Sequence, residues 1–137
     1  MRHGDVSHST EKLIRSDPFS KSLGVHIIRL GKGEATTSLK VTRGMLNFHG
    51  VAHGGVVFSL ADAAFAAASN SHGTRALALN FDIAYRRPGL LGDTLTAVAT
   101  EESRGARTAL YHIGVVNQDG KVVAACHGTV FMTGEKF

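Results

Sequence analysis

A single cysteine, two prolines and no tryptophan stand among the 137 residues, and the apolar residues never form a long run. Because Cys126 has no second cysteine to pair with, an internal disulfide scaffold is excluded and a reducing, cytoplasmic location is favoured. Every apolar stretch is far shorter than the roughly 20 residues that span a bilayer. The first residues, MRHGDVSHSTEKL, have neither the apolar segment nor the cleavage site of a secretory signal. We therefore expect a cytoplasmic protein with no membrane partner.

Positive charge is in mild excess, because 15 lysine and arginine residues exceed 11 aspartate and glutamate residues. These basic residues are scattered, their longest run is Arg86-Arg87, and the aromatic residues are only seven Phe and two Tyr. Nucleic-acid binding normally shows a basic stripe with stacking aromatics or a helix-turn-helix. We therefore expect no nucleic-acid partner, and a small phosphorylated ligand suits the charge better.

The hydrophobic pattern predicts one α+β domain over residues 1–137, in which residues 1–22 form an N-terminal helical extension. A hairpin and a loop rich in glycine, asparagine and histidine precede a long helix over residues 54–72. The pattern then repeats every two residues, which is typical of strands. The predicted strands cover residues 25–30, 34–41, 76–86, 94–103, 108–116 and 122–132. One antiparallel sheet on one helix leaves its edges uncovered, so we expect dimerisation.

The predicted helix is rich in alanine and apolar on nearly every side, which is typical of a buried helix. Asp62 is the only carboxylate in this segment. An acid is costly to bury, so Asp62 calls for a partner or a catalytic role. The structural alternative is that Asp62 caps neighbouring loop amides.

Gly54 and Gly55 stand where this helix begins. The unpaired N–H groups and the dipole at a helix N-terminus favour negative charge, and glycine lets a ligand approach the backbone closely. Such a site suits the oxyanion of an acyl-transfer reaction. Asn47 and His53 add polar groups beside it. The structural alternative is that the two glycines only allow the helix to begin close to a strand.

The spacing between Gly54 and Asp62 indicates how the two residues can act together. Eight residues separate them, and eight residues of α-helix span about 12 Å. Within one chain Asp62 therefore cannot touch a carbonyl held at the Gly54 amide. Two helices lying antiparallel about a two-fold axis would bring each Asp62 to the Gly54 of the other chain, and the active site would be shared.

Two other chemistries are weaker alternatives. His49 and His53 have the spacing of four residues seen in zinc sites, but no carboxylate accompanies them as in HExxH and the segment is too rich in glycine to be helical. Cys126 has no basic motif around it that would lower its pKa, so we expect it in the core. We predict no metal.

Residues 45–123 carry four stretches that resemble a known family: MLNFHGVAHGGVVFSLADAAFAAASNSHG, DIAYRRPG, GDTLTA and YHIGVVNQDGKVVA. The upstream stretch SKSLGVHII extends the likeness. The sequence resembles the hotdog-fold acyl-CoA thioesterases of the phenylacetate-degradation (PaaI) type. The combination of HGG, an aspartate eight residues after its first glycine, and a later RRPG is the specific part. This resemblance implies a central helix wrapped by a curved antiparallel sheet, and a dimer commonly paired into a tetramer.

The resemblance also implies catalytic roles. The amide of Gly54 would polarise the thioester carbonyl. Asp62 of the facing subunit would activate water as a general base or attack directly as a nucleophile. Asn47 would orient the water or the thioester, and His53 would support the carbonyl or the leaving thiolate.

Substrate-binding roles follow in the same way. Gly55 lies at the same helix start, and Asn80 falls where relatives often carry a small polar residue near the acyl group. Arg86 and Arg87 would hold coenzyme A phosphates, since a guanidinium suits phosphate oxygens. Because neighbours on a strand face opposite sides, at most one of these arginines is expected to point at the ligand. The alternative is that they only add solubility at a strand end.

The expected reaction is hydrolysis of an aromatic acyl-CoA, such as phenylacetyl-CoA or a ring-hydroxylated form. It needs no cofactor, because coenzyme A is part of the substrate. A hotdog hydratase or dehydratase and a non-catalytic acyl-CoA-binding protein are the alternatives. The acyl group itself stays open, because the pocket depends on the directions of Phe48, Phe58 and Phe65.

Overall fold

A computed structural model describes residues 4–137, so residues 1–3 of the predicted extension lie outside the described residues. Two short helices come first, and a strand pair, a long helix and four more strands follow. In chain order the elements are α1 (His8–Arg15), α2 (Pro18–Leu23), β1 (His26–Gly31), β2 (Glu34–Lys40), a 3-10 turn (Arg43–Met45), α3 (Gly54–Asn70), β3 (Thr74–Tyr85), β4 (Thr94–Arg104), β5 (Thr108–Val116) and β6 (Val122–Lys136). The predicted order of helices and strands is confirmed.

The strands form one antiparallel sheet of six strands in the order β1-β2-β4-β5-β6-β3. The sheet is not closed, so β1 and β3 are its edges. Helix α3 packs against one face and contacts all six strands. The strands alternate between buried and exposed residues, which is the pattern of a sheet with one covered face. The long helix on a curved sheet is the predicted α+β architecture.

Small side chains allow α3 to lie close to the sheet. Ala61, Ala64 and Ala68 are completely buried. The ring of Phe65 packs so closely on Gly128 that a Cβ there would lie 2.6 Å from Phe65 Cζ. Glycine at this position in β6 therefore makes room for the aromatic ring of the helix.

Several predicted boundaries are corrected. Helix α3 ends at Asn70 instead of residue 72, because the Asn70 side chain accepts a hydrogen bond from Ala76 N–H (2.9 Å) and holds the turn into β3. Strand β6 continues four residues beyond the predicted end at residue 132, since Thr74 of β3 still pairs with Lys136. Strand β3 ends at Tyr85, so Arg86 lies outside it.

The prediction that α3 is buried on all sides is wrong for the single chain. Ser59, Asp62 and Asn70 are only partly buried, and Ala66 is exposed, all on one stripe of the helix. This stripe is not covered by the sheet and lies beside α1 and α2.

Two further predictions concern the core and the membrane. Cys126 is completely buried in β6, as predicted, and burial raises the pKa of its thiol to about 11. Over residues 4–137 no helix has the length and apolar character needed to cross a bilayer.

Candidate active site

The start of α3 leaves one backbone amide open. His53 is the N-cap residue, and its Nδ1 accepts a hydrogen bond from Gly55 N–H (2.9 Å). The N–H groups of Val56 and Val57 reach the His53 carbonyl at 2.9 and 3.3 Å. Within the described chain, no acceptor lies within hydrogen-bonding distance of Gly54 N–H. Because the helix dipole adds partial positive charge here, this amide is suited to bind an oxygen that carries negative charge.

Tyr85 holds this open end in place, and the sequence analysis missed it. Its hydroxyl donates a hydrogen bond to the Gly54 carbonyl (3.0 Å). A Cβ on Gly54 would lie 3.3 Å from the Tyr85 Oη, which is a tight contact. The last residue of β3 therefore fixes the position of the first residue of α3. Since 31 residues separate the pair, no local pattern in the sequence could indicate the contact.

A cavity of about 360 Å³ opens beside Gly54. The residues around it are Ala52, Gly54, Val57, Tyr85, Arg86, Arg87, Pro88 and Gly89. Both arginines are among its lining residues, and the expectation that at most one of them points at a ligand stays a prediction. That expectation required the strand to continue through the pair. Instead, β3 ends at Tyr85, and the N–H groups of Arg86 and Arg87 both point to the Val123 carbonyl (2.8 and 3.3 Å).

Asp62 lines a different cavity, of about 390 Å³, on the stripe of α3 that the sheet leaves uncovered. Its lining residues are Leu13, Ile14, Ser16, Asp17, Pro18, Phe19, Ser20, Ile27, Ser59, Asp62, Ala63, Ala66, Ala67, Asn70, Arg75 and Phe137. None of them lines the Gly54 cavity. Within one chain the structure therefore keeps Asp62 and Gly54 apart.

The environment of Asp62 favours its protonated form. Burial, and to a smaller extent the nearby negative charge of Asp17, raise the pKa of the Asp62 carboxyl above 3.8. Among the charged residues around this cavity, Asp17 accepts hydrogen bonds from Ser20 N–H and Oγ, and Arg75 pairs with Glu135. Asp62 has no such hydrogen bond or ion pair within residues 4–137. An acid with a raised pKa is a stronger base when it is ionised.

Asn47 organises the loop before α3. Its Oδ1 accepts hydrogen bonds from His49 N–H (2.9 Å) and Val51 N–H (3.3 Å). The residue lines neither the Gly54 cavity nor the Asp62 cavity. In the single chain its carboxamide oxygen therefore shapes residues 47–51, which lead to His53.

His53 and Gly55 at the start of α3, and four further residues named from the sequence, also lie outside both cavities. Asn80 is exposed on the edge strand β3. The rings of Phe58 and Phe65 both pack against the ring of Phe81. The centroid distances to Phe81 are 4.8 Å for Phe58 and 5.3 Å for Phe65. Phe48 is 93% exposed on its loop. The aromatic residues that line the Asp62 cavity are instead Phe19 and Phe137.

His49 and His53 have no third residue near them, among those the structure describes, that could complete a metal site. Across the part of the chain that the structure describes, no three His, Cys, Asp or Glu residues are placed to hold a metal ion. His53 Nδ1 is instead used to cap α3.

Taken together, the two cavities carry complementary chemistry. Gly54, with its open amide, lines the first cavity together with Arg86 and Arg87, and Asp62 lines the second among apolar and polar residues. The first can stabilise an oxyanion and bind an anionic group, and the second can supply a base. Within one chain the two cavities share no lining residue.

The chain is similar to known thioesterases in sequence and in structure. Residues 49–124 match the thioesterase superfamily. Over 116 residues the chain is 46% identical to the acyl-coenzyme A thioesterase PaaI of Escherichia coli (strain K12), which covers 85% of this chain and 83% of that protein.

Solved structures are similar over nearly the whole fold. The E. coli PaaI protein from the phenylacetic acid degradation operon superposes with a TM-score of 0.91 and 41% identity, over 96% of this chain and 99% of that one. The smu.793 protein of Streptococcus mutans UA159, bound to acetyl CoA, superposes with a TM-score of 0.80 and 32% identity, over 83% of this chain and 92% of that one.

Proposed function

The chain belongs to the thioesterase superfamily, and from that premise we propose that it hydrolyses an aromatic acyl-CoA, such as phenylacetyl-CoA or a ring-hydroxylated form, to the free acid and coenzyme A. The predicted PaaI-type relationship, the hotdog fold and thioester hydrolase activity are confirmed. The aromatic acyl group is proposed because PaaI of E. coli comes from a phenylacetic acid degradation operon. The buried Cys126 suits the cytoplasmic location that we expect.

The observation that carries the proposal is the open Gly54 amide beside two arginines. A thioester carbonyl placed against this N–H would gain a hydrogen bond that strengthens as its oxygen becomes an oxyanion. One such donor contributes about 10²–10³-fold to the rate. Arg86 and Arg87, which line the same cavity, would bind phosphates of the coenzyme A moiety.

The base comes from a second copy of the chain. In the proposed mechanism, Asp62 of the facing subunit removes a proton from water as the water oxygen attacks the carbonyl carbon. The C–S bond then breaks and coenzyme A leaves as the thiolate. The nucleophilic alternative, in which Asp62 attacks directly, uses the same placement. The reaction draws on the chain, the thioester and water, and we expect no cofactor.

His53 suits a supporting role because of its tautomer. Its Nδ1 accepts from Gly55 N–H, so the neutral ring carries its proton on Nε2. That N–H is available to the carbonyl or to the leaving thiolate. With its own amide occupied, Gly55 would contribute by the close approach that glycine allows. The roles of Asn47 in orienting water and of Asn80 near the acyl group stay predictions.

A two-fold dimer follows from the edge strand as well as from the site. Strand β3 runs for 12 residues at the edge of the sheet. Leu77 and Leu79 on it are 55% and 61% exposed. A long apolar edge is a template for pairing with another strand. We propose that β3 pairs with β3 of a second copy, that the two α3 helices then lie antiparallel, and that two such dimers form a tetramer.

The first test is Asp62→Asn with phenylacetyl-CoA, followed by release of free thiol. We expect kcat to fall at least about 10²-fold, the size of a general-base contribution, with an unchanged circular dichroism spectrum. Turnover close to the wild-type rate would remove Asp62 from the mechanism. For the wild type, loss of a 2-enoyl-CoA without thiol release would favour a hydratase, and binding of acyl-CoA without any turnover would favour a non-catalytic acyl-CoA-binding protein.

The shared site is tested by complementation. Gly54→Pro removes the open N–H, and Asp62→Asn removes the base, so each homodimer is inactive. In a heterodimer of the two variants, one of the two sites has both wild-type groups. Random re-association should therefore restore about a quarter of the wild-type activity if each site uses both chains. No recovery would contradict the two-fold arrangement.

A further inference from the structure

The peptide group between Gly54 and Gly55 is held by a side chain at each of its two polar atoms. The Tyr85 hydroxyl donates a hydrogen bond to the Gly54 carbonyl (3.0 Å). On the other side of the same peptide group, His53 Nδ1 accepts a hydrogen bond from Gly55 N–H (2.9 Å). The first peptide group of α3 is therefore fixed by two side chains, one from β3 and one from the residue before the helix.

Two glycines in succession need such a restraint. Glycine has more backbone freedom than any other residue, and the ends of helices fray. Because α3 begins with Gly54 and Gly55, the direction of the Gly54 N–H would vary without these side-chain contacts. An oxyanion donor is effective when it already points to the place where the negative charge develops. The restraint therefore acts on the one group whose direction matters most to the proposed reaction.

Tyr85 is attached to the buried centre of the sheet. It pairs with Ala124 of β6, in the last pair that joins β3 to β6. The next residue, Arg86, donates its N–H to the Val123 carbonyl (2.8 Å). Val123 and Ala124 are both completely buried. The position of the Tyr85 hydroxyl is therefore set by the sheet, and not by the loop that leads to α3.

The Tyr85 ring also limits the space beside Gly54. A Cβ on Gly54 would lie 3.3 Å from the Tyr85 Oη and 3.4 Å from its Cζ. The ring lines the Gly54 cavity, but its hydroxyl proton is used in the bond to the Gly54 carbonyl. Tyr85 is therefore suited to hold the donor in place, and not to donate to the substrate itself.

We propose that Tyr85 is a positioning residue for hydrolysis: by holding the Gly54 carbonyl, it fixes the direction in which the Gly54 N–H meets the thioester oxygen. The inference rests on the proposed function, in which this N–H stabilises the oxyanion. The Tyr85 hydroxyl acts on the amide and not on the substrate, so it should contribute to kcat and not to KM.

The first test is Tyr85→Phe, which removes the hydroxyl and keeps the ring beside the cavity. With phenylacetyl-CoA, kcat should fall about three- to tenfold, which corresponds to the loss of one hydrogen bond of ordinary strength. KM should be unchanged. Tyr111→Phe is the matched control, because Tyr111 is the second of the two tyrosines in the chain and its hydroxyl is bonded to Glu101 (2.8 Å). The control should lower stability and leave kcat unchanged.

A second measurement follows the amide directly and needs no turnover. NMR relaxation of the backbone amides gives an order parameter for the Gly54 N–H. This order parameter should be lower in Tyr85→Phe than in the wild type, because the Gly54 carbonyl has lost its restraint. In Tyr111→Phe it should be unchanged.

Gly54→Ala in the Tyr85→Phe background tests whether a restraint of another kind restores activity. Alanine has less backbone freedom than glycine. With the hydroxyl removed, its Cβ would meet the ring at the 3.4 Å of ordinary contact instead of pressing on Oη. The double variant should therefore have a higher kcat than Tyr85→Phe alone.

The inference is overturned if Tyr85→Phe leaves kcat or the Gly54 order parameter unchanged, if it raises KM while kcat is kept, or if the alanine restores nothing. When Gly54→Pro still lowers kcat in such a case, the proposed function stands and only the role of Tyr85 is wrong. When Gly54→Pro has no effect on hydrolysis, the proposed function fails and the inference fails with it.

Discussion

The two ends of α3 are built differently. At the C-terminal end the polar groups are bonded to the sheet: Asn70 Oδ1 accepts from Ala76 N–H (2.9 Å), and Ser71 Oγ accepts from Gly33 N–H (2.8 Å). At the N-terminal end the Gly54 amide has no protein acceptor within the described residues. The first end anchors the helix, and the second leaves a donor for a ligand.

The anchored end continues into a polar cluster of the core. Glu101 Oε1 accepts a hydrogen bond from the Tyr111 hydroxyl (2.8 Å) and lies 2.9 Å from His72 Nε2. Burial and this hydrogen bond raise the pKa of Tyr111, so the phenol remains a donor. A buried hydroxyl without a hydrogen-bond partner lowers the stability of the fold, whereas an amide at a helix start can stay unpaired until a substrate binds. The residues that stabilise the fold and the residues that we propose act on the substrate therefore lie at opposite ends of one helix.

The largest effect on activity is expected at the open end. Gly54→Pro should lower kcat about 10²–10³-fold, because it deletes a single oxyanion donor. The fold should be kept, since proline suits the first helical position and His53 before it is extended, with ψ of 137°. Thiol release and thermal melting of the same sample would measure both properties.

Gly54→Ala is the matched control, because it adds a Cβ but keeps the N–H. The Cβ would lie 3.3 Å from Tyr85 Oη, so the tyrosine must shift by a few tenths of an ångström. Activity should fall much less than in Gly54→Pro. Equal losses in the two variants would show that space beside Tyr85, and not the amide, is what matters.

The next largest effect, on stability, is expected at the anchored end. Glu101→Ala leaves the Tyr111 hydroxyl buried without its acceptor, and Tyr111 is only 1% exposed. The free energy of unfolding should fall by about 1–3 kcal/mol. Below the melting temperature kcat should be unchanged, because this cluster lies at the other end of α3 from Gly54. Urea denaturation and thiol release would separate the two.

Glu101→Gln sharpens this result. Glutamine keeps an oxygen that can accept from Tyr111, so most of the lost stability should return. If Glu101→Ala instead lowered kcat in a fully folded sample, the division between the two ends of α3 would be wrong.

The fold could be predicted well because its signals are local. The alanine-rich segment before Gly73 and the two-residue alternation that follows set α3 and the later strands. The predicted ends of the helix and strands were less accurate, because contacts between residues outside the local pattern decide where each element ends. Asn70 ends α3 by bonding to Ala76, and Lys136 belongs to β6 because it pairs with Thr74.

The site could be predicted only where a residue type was unusual in its segment. Asp62 stood out as an acid in an apolar helix, and Gly54 stood out at a helix start. Tyr85 gave no such signal, because tyrosine in a strand is ordinary. Its importance comes from its hydrogen bond to Gly54, far away in the chain, which a sequence pattern does not report.

The smallest effect on stability is expected between the two ends, at Asp62. Its pKa is raised in the folded chain by burial first and by Asp17 second, so the folded state holds the proton more tightly than the unfolded state. Well below pH 3.8 both states are protonated and the acid does not lower stability. As the pH rises through the folded pKa, ionisation destabilises the fold. Asp62→Asn should therefore be more stable than the wild type at neutral pH, and this gain should disappear in acid.

Asp93→Asn is a control variant whose stability at neutral pH should change in the opposite direction. The Asp93 carboxylate accepts hydrogen bonds from Leu90 N–H (2.8 Å) and Gln118 Nε2 (2.9 Å), so replacing one of its oxygens with an amide should lower stability at neutral pH. Urea denaturation of both variants across the acid range measures the difference. A gain for Asp62→Asn that did not change with pH would mean that packing, and not charge, separates it from the wild type. A loss at neutral pH would place Asp62 with the anchoring residues instead of with the open end of α3.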